Sequence, residues 1–207
     1  MTQFFRIHPV TPEMRLITQA AAVLRRGGVI AYPTDSSYAL GCQLGNARAL
    51  DRIRRLRRIG PRHDFTLLCA HLDDLSTYAK IANPNLSLMR RHTPGPYTFV
   101  LPATREVPRR LQHPQKATVG LRIPDHPIVS ELLATFGEAV ANSTLTLPGE
   151  EYPLTDPDDI FERLSGKVEL VIDGGPCGYQ PTSVIDLTHE APVVLRYGRG
   201  DVSGFNV

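Results

Sequence analysis

Hydroxyl pairs and arginines are the residues of this chain best suited to chemistry. Thr34 and Ser36, Ser143 and Thr144, and Thr182 and Ser183 each stand where an apolar run gives way to a loop. Open α/β sheets place their ligands just past the carboxyl ends of buried strands. In any one turn, hydroxyls also bond their own backbone, and that reading stands beside the first. Three such clusters together fit a cavity lined by donors. The stretch from Val29 to Cys42 is the focus. Its apolar start follows Gly27-Gly28, and Pro33 removes a ladder donor, so a strand ends there or lies at an edge. Thr34, Asp35, Ser36, Ser37 and Tyr38 then put five oxygen-bearing side chains into five positions.

The arginines could supply charge. Arg52, Arg54, Arg55, Arg57, Arg58 and Arg62 fall within eleven residues that contain no acid. Helical spacing puts Arg54 and Arg58 on one face, with Arg55 and Arg62 close to it. Such a run is either a solvated outer face or a site for ATP phosphates or an RNA backbone. Arg122 interrupts an apolar strand, and a charge there needs a partner. That partner is an internal acid, or the carboxylate or phosphate of a ligand. No Gly-x-x-x-x-Gly-Lys or Gly-x-Gly-x-x-Gly follows a strand. A bound nucleotide would therefore rest on arginines, strand-end hydroxyls and backbone amides. Neither Ser-x-x-Lys nor Gly-x-Ser-x-Gly marks a nucleophile, so covalent catalysis is not indicated. Cys42, Cys69 and Cys177 are far apart and the seven histidines lack ligand spacing, so no metal site is expected.

The elements that must position these groups follow from composition and period. The chain has 207 residues, 42% of them hydrophobic and 21% charged, and a formal net charge of +2. It lacks the global basic field typical of nucleic-acid binding. Only Lys80, Lys116 and Lys167 are lysines among the 23 bases, so the fork-shaped guanidinium dominates. No apolar run reaches signal or membrane-span length, which places the chain in the cytoplasm. A first helix is expected from a Thr11-Pro12-Glu13 cap through Leu24, ending at Gly27. A second is capped by Asn46 with Ala49, Leu50, Ile53 and Leu56 inward. Others follow Pro127 and Asp156-Pro157, with short helical segments at 72–78 and 85–92. Strands are expected at 65–69, 97–101, 118–123, 139–141, 168–172, 182–187 and 193–196. Thr93-Pro94-Gly95-Pro96 reads as a rigid turn. The pattern is α/β with a mixed sheet, forming one domain over residues 1–207.

Four segments, in this order, resemble the YrdC/YciO family, and its YciO branch most. They are Pro33-Thr34-Asp35-Ser36-Ser37-Tyr38-Ala39-Leu40-Gly41-Cys42, Thr93-Pro94-Gly95-Pro96-Tyr97-Thr98-Phe99-Val100, Val119-Gly120-Leu121-Arg122-Ile123-Pro124-Asp125-His126-Pro127 and Pro181-Thr182-Ser183-Val184-Ile185-Asp186-Leu187. The resemblance implies a YrdC-like twisted mixed sheet with helices around it and a positively charged concave face. It implies an L-threonylcarbamoyladenylate synthase activity, joining L-threonine, bicarbonate and ATP with Mg²⁺, for threonylcarbamoyladenosine in tRNA. Double-stranded RNA or tRNA binding without turnover is the alternative it carries. By position, Thr34 and Arg122 would hold threonine, with Arg122 on its carboxylate. Thr118 and Arg196 would face the nucleotide, and Thr182 stands for a substrate-binding serine. Arg57-Arg58-Ile59 replaces the synthases' Lys-x-Arg pair, and Asn142-Ser143-Thr144-Leu145-Thr146 replaces their Ser-Thr-Ser-Ala-Asn run. Arg57 and Arg122 would then be catalytic, Thr144 on threonine, and Arg58 and Thr146 on the nucleotide. Arg54, Arg57, Arg58 and Arg62 would meet RNA. These departures imply weak or altered activity.

Overall fold

The computed structural model describes residues 1–60 and 65–205. In chain order its elements are β1 (Gln3–Arg6), α1 (Met14–Arg25), β2 (Ile30–Tyr32), β3 (Ala39–Gln43), α2 (Ala47–Arg57), β4 (Thr66–Leu68), α3 (Leu75–Tyr78), α4 (Asn83–Arg90), β5 (Tyr97–Pro102), β6 (Thr118–Arg122), α5 (Pro127–Phe136), β7 (Val140–Thr144), α6 (Pro157–Leu164), β8 (Leu170–Asp173), β9 (Ser183–Asp186) and β10 (Val193–Arg196). All ten strands join one mixed sheet, in the order β1-β8-β2-β3-β7-β4-β6-β5-β9-β10. Strands β1, β2 and β8 pair in parallel, as do β4 with β6 and β5 with β9; the other pairs are antiparallel.

Two helix starts and one helix end follow the expected chemistry closely. The Asn46 side chain accepts from the Ala49 amide at 3.0 Å, and Asp156 accepts from Asp158 and Asp159 at the head of α6. Gly137 closes α5 at φ +82°, where a side chain would be strained. The first helix departs from expectation. It begins at Met14 after Glu13, and Thr11 instead bonds the His8 ring. Two strands were not anticipated. β1 pairs with β8 at one edge of the sheet, and β3 continues directly from the polar loop.

The sheet separates two apolar clusters. One face packs under α1 and α5 through Ile30, Tyr32, Leu68, Val140, Leu170 and Ile172. The opposite face buries Leu67, Phe99, Leu101, Val119, Leu121 and Ile185 with the inner side of α2. Successive residues in a strand point to opposite faces. Thr66, Thr98, Thr118, Gly120 and Arg122 therefore point away from the second cluster, toward the first face beyond the reach of α1 and α5. They line two adjoining hollows there. Half of one sheet face is thus covered by helices and apolar, while the other half is open and polar. Gly120 keeps that floor low: a Cβ there would come within 3.1 Å of Thr98 Cγ2.

Candidate active site

The larger of the two hollows is a cleft of about 440 Å³, within the usual range for small-molecule sites. Strand ends, connecting loops and the end of α2 build it. Ser36 enters from the loop after β2, Asn142, Ser143 and Thr144 from β7, and Thr182 from the start of β9. Arg57, Arg122 and Arg196 bring charge from α2, β6 and β10. Thr146 and Glu151 line its wall, and Tyr152 and Tyr179 stand at its mouth.

Each arginine is held by named partners. Arg122, 4% exposed, forms an ion pair with Asp35 through Nη2, and its Nη1 donates to Ser36 Oγ at 3.1 Å. The internal acid demanded by a buried strand charge is therefore Asp35. One atom on each partner, Arg122 Nε and Asp35 Oδ2, is buried without a hydrogen bond. Burial pulls the Arg122 guanidinium below its ordinary range, and the Asp35 charge opposes that pull. Arg57 donates to Ser143 Oγ and, at 3.4 Å, to the Thr146 carbonyl. Arg196 grips the start of β9, donating to the Thr182 carbonyl and hydroxyl, both at 2.9 Å. Burial also lowers Arg57 and Arg196. Desolvation of this kind strengthens the attraction of each guanidinium for an incoming anion.

The hydroxyls divide into floor and scaffold. Thr182 and Thr98 share a hydrogen bond of 3.0 Å on the floor. Thr34 is scaffold: it donates to the Ser37 carbonyl at 2.7 Å and accepts from the Ser36 and Ser37 amides. It reaches the cleft only through Ser36, 3.1 Å from its hydroxyl. Beneath β7, the Tyr32 hydroxyl donates to Asn142 Oδ1 at 2.7 Å and fixes that amide. Thr118 lies in the adjoining hollow, which it shares with Arg196.

The basic run does not form the single face its spacing suggested. Arg54 is 13% exposed and spends its guanidinium on Asp51, on the Arg110 carbonyl and over the Phe65 ring. Arg58 has left the helix, in a left-handed conformation at φ +50°, and is exposed. Arg62 lies outside the described residues. Sequence reasoning passed over Tyr152 and Tyr179, whose rings pack edge to face at 5.3 Å while remaining 55% and 59% exposed.

Thiol chemistry does not suit this site. Burial pushes the Cys177 thiol up to about 11, and it hydrogen-bonds the Thr34 carbonyl. Among the described residues no three of His, Cys, Asp and Glu converge as metal ligands, and no helix is long and apolar enough to cross a membrane.

A family model described as "Telomere recombination", covering Sua5, YciO and YrdC proteins, matches residues 22–198. The chain belongs to the Sua5/YciO/YrdC family. Escherichia coli YciO is 50% identical over 205 residues, 99% of this chain and all of that protein. Its crystal structure superposes with a TM-score of 0.95 over the whole of both chains. A threonylcarbamoyl-AMP synthase of Bacillus subtilis is 32% identical over 187 residues, 88% of this chain and 53% of that protein. The crystal structure of Pyrococcus abyssi Sua5 complexed with L-threonine matches with a TM-score of 0.87 at 31% identity, over 95% of this chain and 58% of that one. This family member thus spans little more than half the length of those two proteins.

Proposed function

We propose that this chain is an adenylate-forming enzyme of the threonylcarbamoyl-AMP synthase type, weak or altered in activity. It would act in the cytoplasm, toward threonylcarbamoyladenosine in tRNA. The reaction joins L-threonine, bicarbonate and ATP into threonylcarbamoyl-AMP, pyrophosphate and water. The observation that supports it best is the meeting of Arg57, Arg122 and Arg196 with hydroxyls from separate strand ends in one cleft. The relatives named as synthases and the Sua5 structure complexed with L-threonine point the same way.

In this reading Arg122 holds the amino-acid carboxylate, and Asp35 keeps the guanidinium charged and aimed before substrate arrives. Ser36, Thr144 and Thr182 bond the rest of the amino acid. Attack by a carbamate oxygen on the α-phosphate builds charge on phosphoryl oxygens. Arg57, Arg58 and Arg196 meet that charge, with Thr118 and Thr146 toward the nucleotide. One such preorganised donor is typically worth about 3 kcal/mol in the transition state. Magnesium would enter on the triphosphate, where it shields phosphate charge; Glu151 is the carboxylate on the cleft wall that suits it.

Pyrophosphate release measured with ATP, bicarbonate and each amino acid in turn tests the reading. Release that requires both L-threonine and bicarbonate is expected, with a loss of a hundredfold or more in Arg122→Ala. Release independent of the amino acid, or unchanged in that variant, overturns it. A second reading, an RNA-binding module without turnover, draws on exposed Arg58 beside the cleft. It is weighed below by its salt dependence.

A further inference from the structure

A second hollow opens at the far end of β2 and shares no lining residue with the cleft. It measures about 520 Å³, between the end of α1, the start of α2 and the first residues of β1 and β8. Arg26, Arg48, Arg52 and Arg55 surround it. Among the described residues Glu169 is the single acid on its wall, and it is already matched. Its carboxylate takes two hydrogen bonds from Arg52, at 2.8 and 2.5 Å, and one from the Val29 amide at 2.7 Å. The guanidinium groups of Arg26, Arg48 and Arg55 are exposed and have no hydrogen-bond or ion-pair partner among the described residues.

This placement works against the helix that carries it. Arg48, Arg52 and Arg55 stand at i, i+4 and i+7, a stripe of like charge on one face of α2, and such pairs destabilise a helix. Arg48 also lies in the first turn, where backbone N–H groups make the helix end positive and acids are favoured; α2 has no acid there. Asp51, the acid of α2 closest to this stripe, is paired with Arg54, and among the described residues neither Arg48 nor Arg55 forms an ion pair. An anion in the hollow would offset the repulsion along this stripe and the misplaced charge of Arg48 in the first turn. At its floor the backbone turns through Gly27 at φ +80°, where a Cβ would come within 2.2 Å of the Asn46 side-chain amide, the group that caps α2.

We propose that this hollow is a second phosphate site, separate from the cleft, which takes a small polyphosphate anion such as pyrophosphate or the phosphates of a free nucleotide. Three arginines that have no ion-pair partner among the described residues match the charge of such an anion, and a concave site of this size suits a small molecule. The inference does not depend on the proposed reaction. Helix α2 nevertheless connects the two places, with Arg48 at one end and Arg57 at the other.

The test titrates pyrophosphate and ATP, each without magnesium, into the full chain by calorimetry at low salt. Three proteins are compared: wild type, Arg48→Ala/Arg55→Ala, and Arg57→Ala/Arg196→Ala. A binding event that survives in the third protein and weakens tenfold or more in the second is expected. Tighter binding of ATP than of pyrophosphate assigns the hollow to a nucleotide, and equal binding assigns it to the phosphates alone; both support the site. Thermal unfolding supplies an independent reading. Without ligand, Arg48→Ala/Arg55→Ala should melt above wild type, and pyrophosphate should raise the melting point of wild type more than that of the variant. Unchanged pyrophosphate binding in Arg48→Ala/Arg55→Ala overturns the proposal. So does a lower melting point for that variant, which would make the two arginines part of what holds the fold.

Discussion

Arg122 and Asp35 stabilise each other across 87 residues of sequence, and neither is suited to its site alone. Removing one member of a buried pair leaves an uncompensated charge, whereas replacing both is often close to neutral. Asp35→Asn is therefore expected to destabilise the fold by about 3 kcal/mol. Asp35→Asn combined with Arg122→Met should recover much of that loss in urea unfolding. A double variant less stable than either single one would contradict the pairing. His126 makes a second residue-scale case. It sits at the head of α5 with Nδ1 buried and unbonded. Burial lowers its pKa, Asp35 and Asp125 oppose that shift, and Arg122 adds to it. The folded state thus binds the proton less readily than the unfolded chain, whose histidine titrates near pH 6.5. Stability is then complete above that pH and falls as the solution is acidified through it toward the lowered value. Urea midpoints at pH 7.5 and 5.5 should differ less in His126→Asn than in wild type. The sequence marked Arg122, because a charge stood out against an apolar period. Its partner was not legible, since nothing local joins residue 35 to residue 122.

Elements carry the cleft residues to their places, and their ends decide the geometry. β10 delivers Arg196 to Thr182, and the chain then turns through Gly198. A Cβ on Gly198 would lie 2.4 Å from the Pro181 carbonyl oxygen and from the Thr182 carbonyl carbon. Those are backbone atoms, so the turn itself must move. Gly198→Ala should cost about 1–3 kcal/mol of stability through overpacking. It should also lower pyrophosphate release well beyond the effect of Leu195→Ala, which alters an exposed neighbour on the same strand. Equal activity in the two variants would detach Arg196 from the reaction. Helix caps were legible wherever a side chain makes the cap, as at Asn46 and Asp156, because that chemistry is local. The strand β3 was not. Ala39, Gly41 and Cys42 are small, and Gly41 is there for close approach: a Cβ would meet Tyr32 at 2.6 Å and Val140 at 2.8 Å. A strand selected for thinness carries little of the bulky, branched signature by which strands are recognised.

For the molecule as a whole, a sheet order of β1-β8-β2-β3-β7-β4-β6-β5-β9-β10 leaves almost no local trace, because most pairings join distant segments. The class of fold follows from alternating helices and strands; the order does not. That order sets β7 and β9 on either side of β4, β6 and β5, so that one floor receives Ser36, Ser143, Thr144 and Thr182 from three separate hydroxyl clusters. The same view bears on RNA. The net charge is +2, and the arginine run is divided: Arg52 and Arg55 face one hollow, Arg57 the cleft, and Arg54 is engaged internally. Among the described residues of this run, Arg57 and exposed Arg58 are the two that a duplex lying across the cleft would meet, and each contact adds roughly −0.9 to the slope of log affinity against log salt. From 50 to 200 mM salt, the affinity for duplex RNA is therefore expected to fall by about tenfold. A module that tracks a backbone with six to ten contacts loses about 10³–10⁵ over the same interval. Filter binding at the two salt concentrations separates these cases. A fall of a thousandfold, diminished by Arg58→Ala, would transfer the function from catalysis to RNA binding.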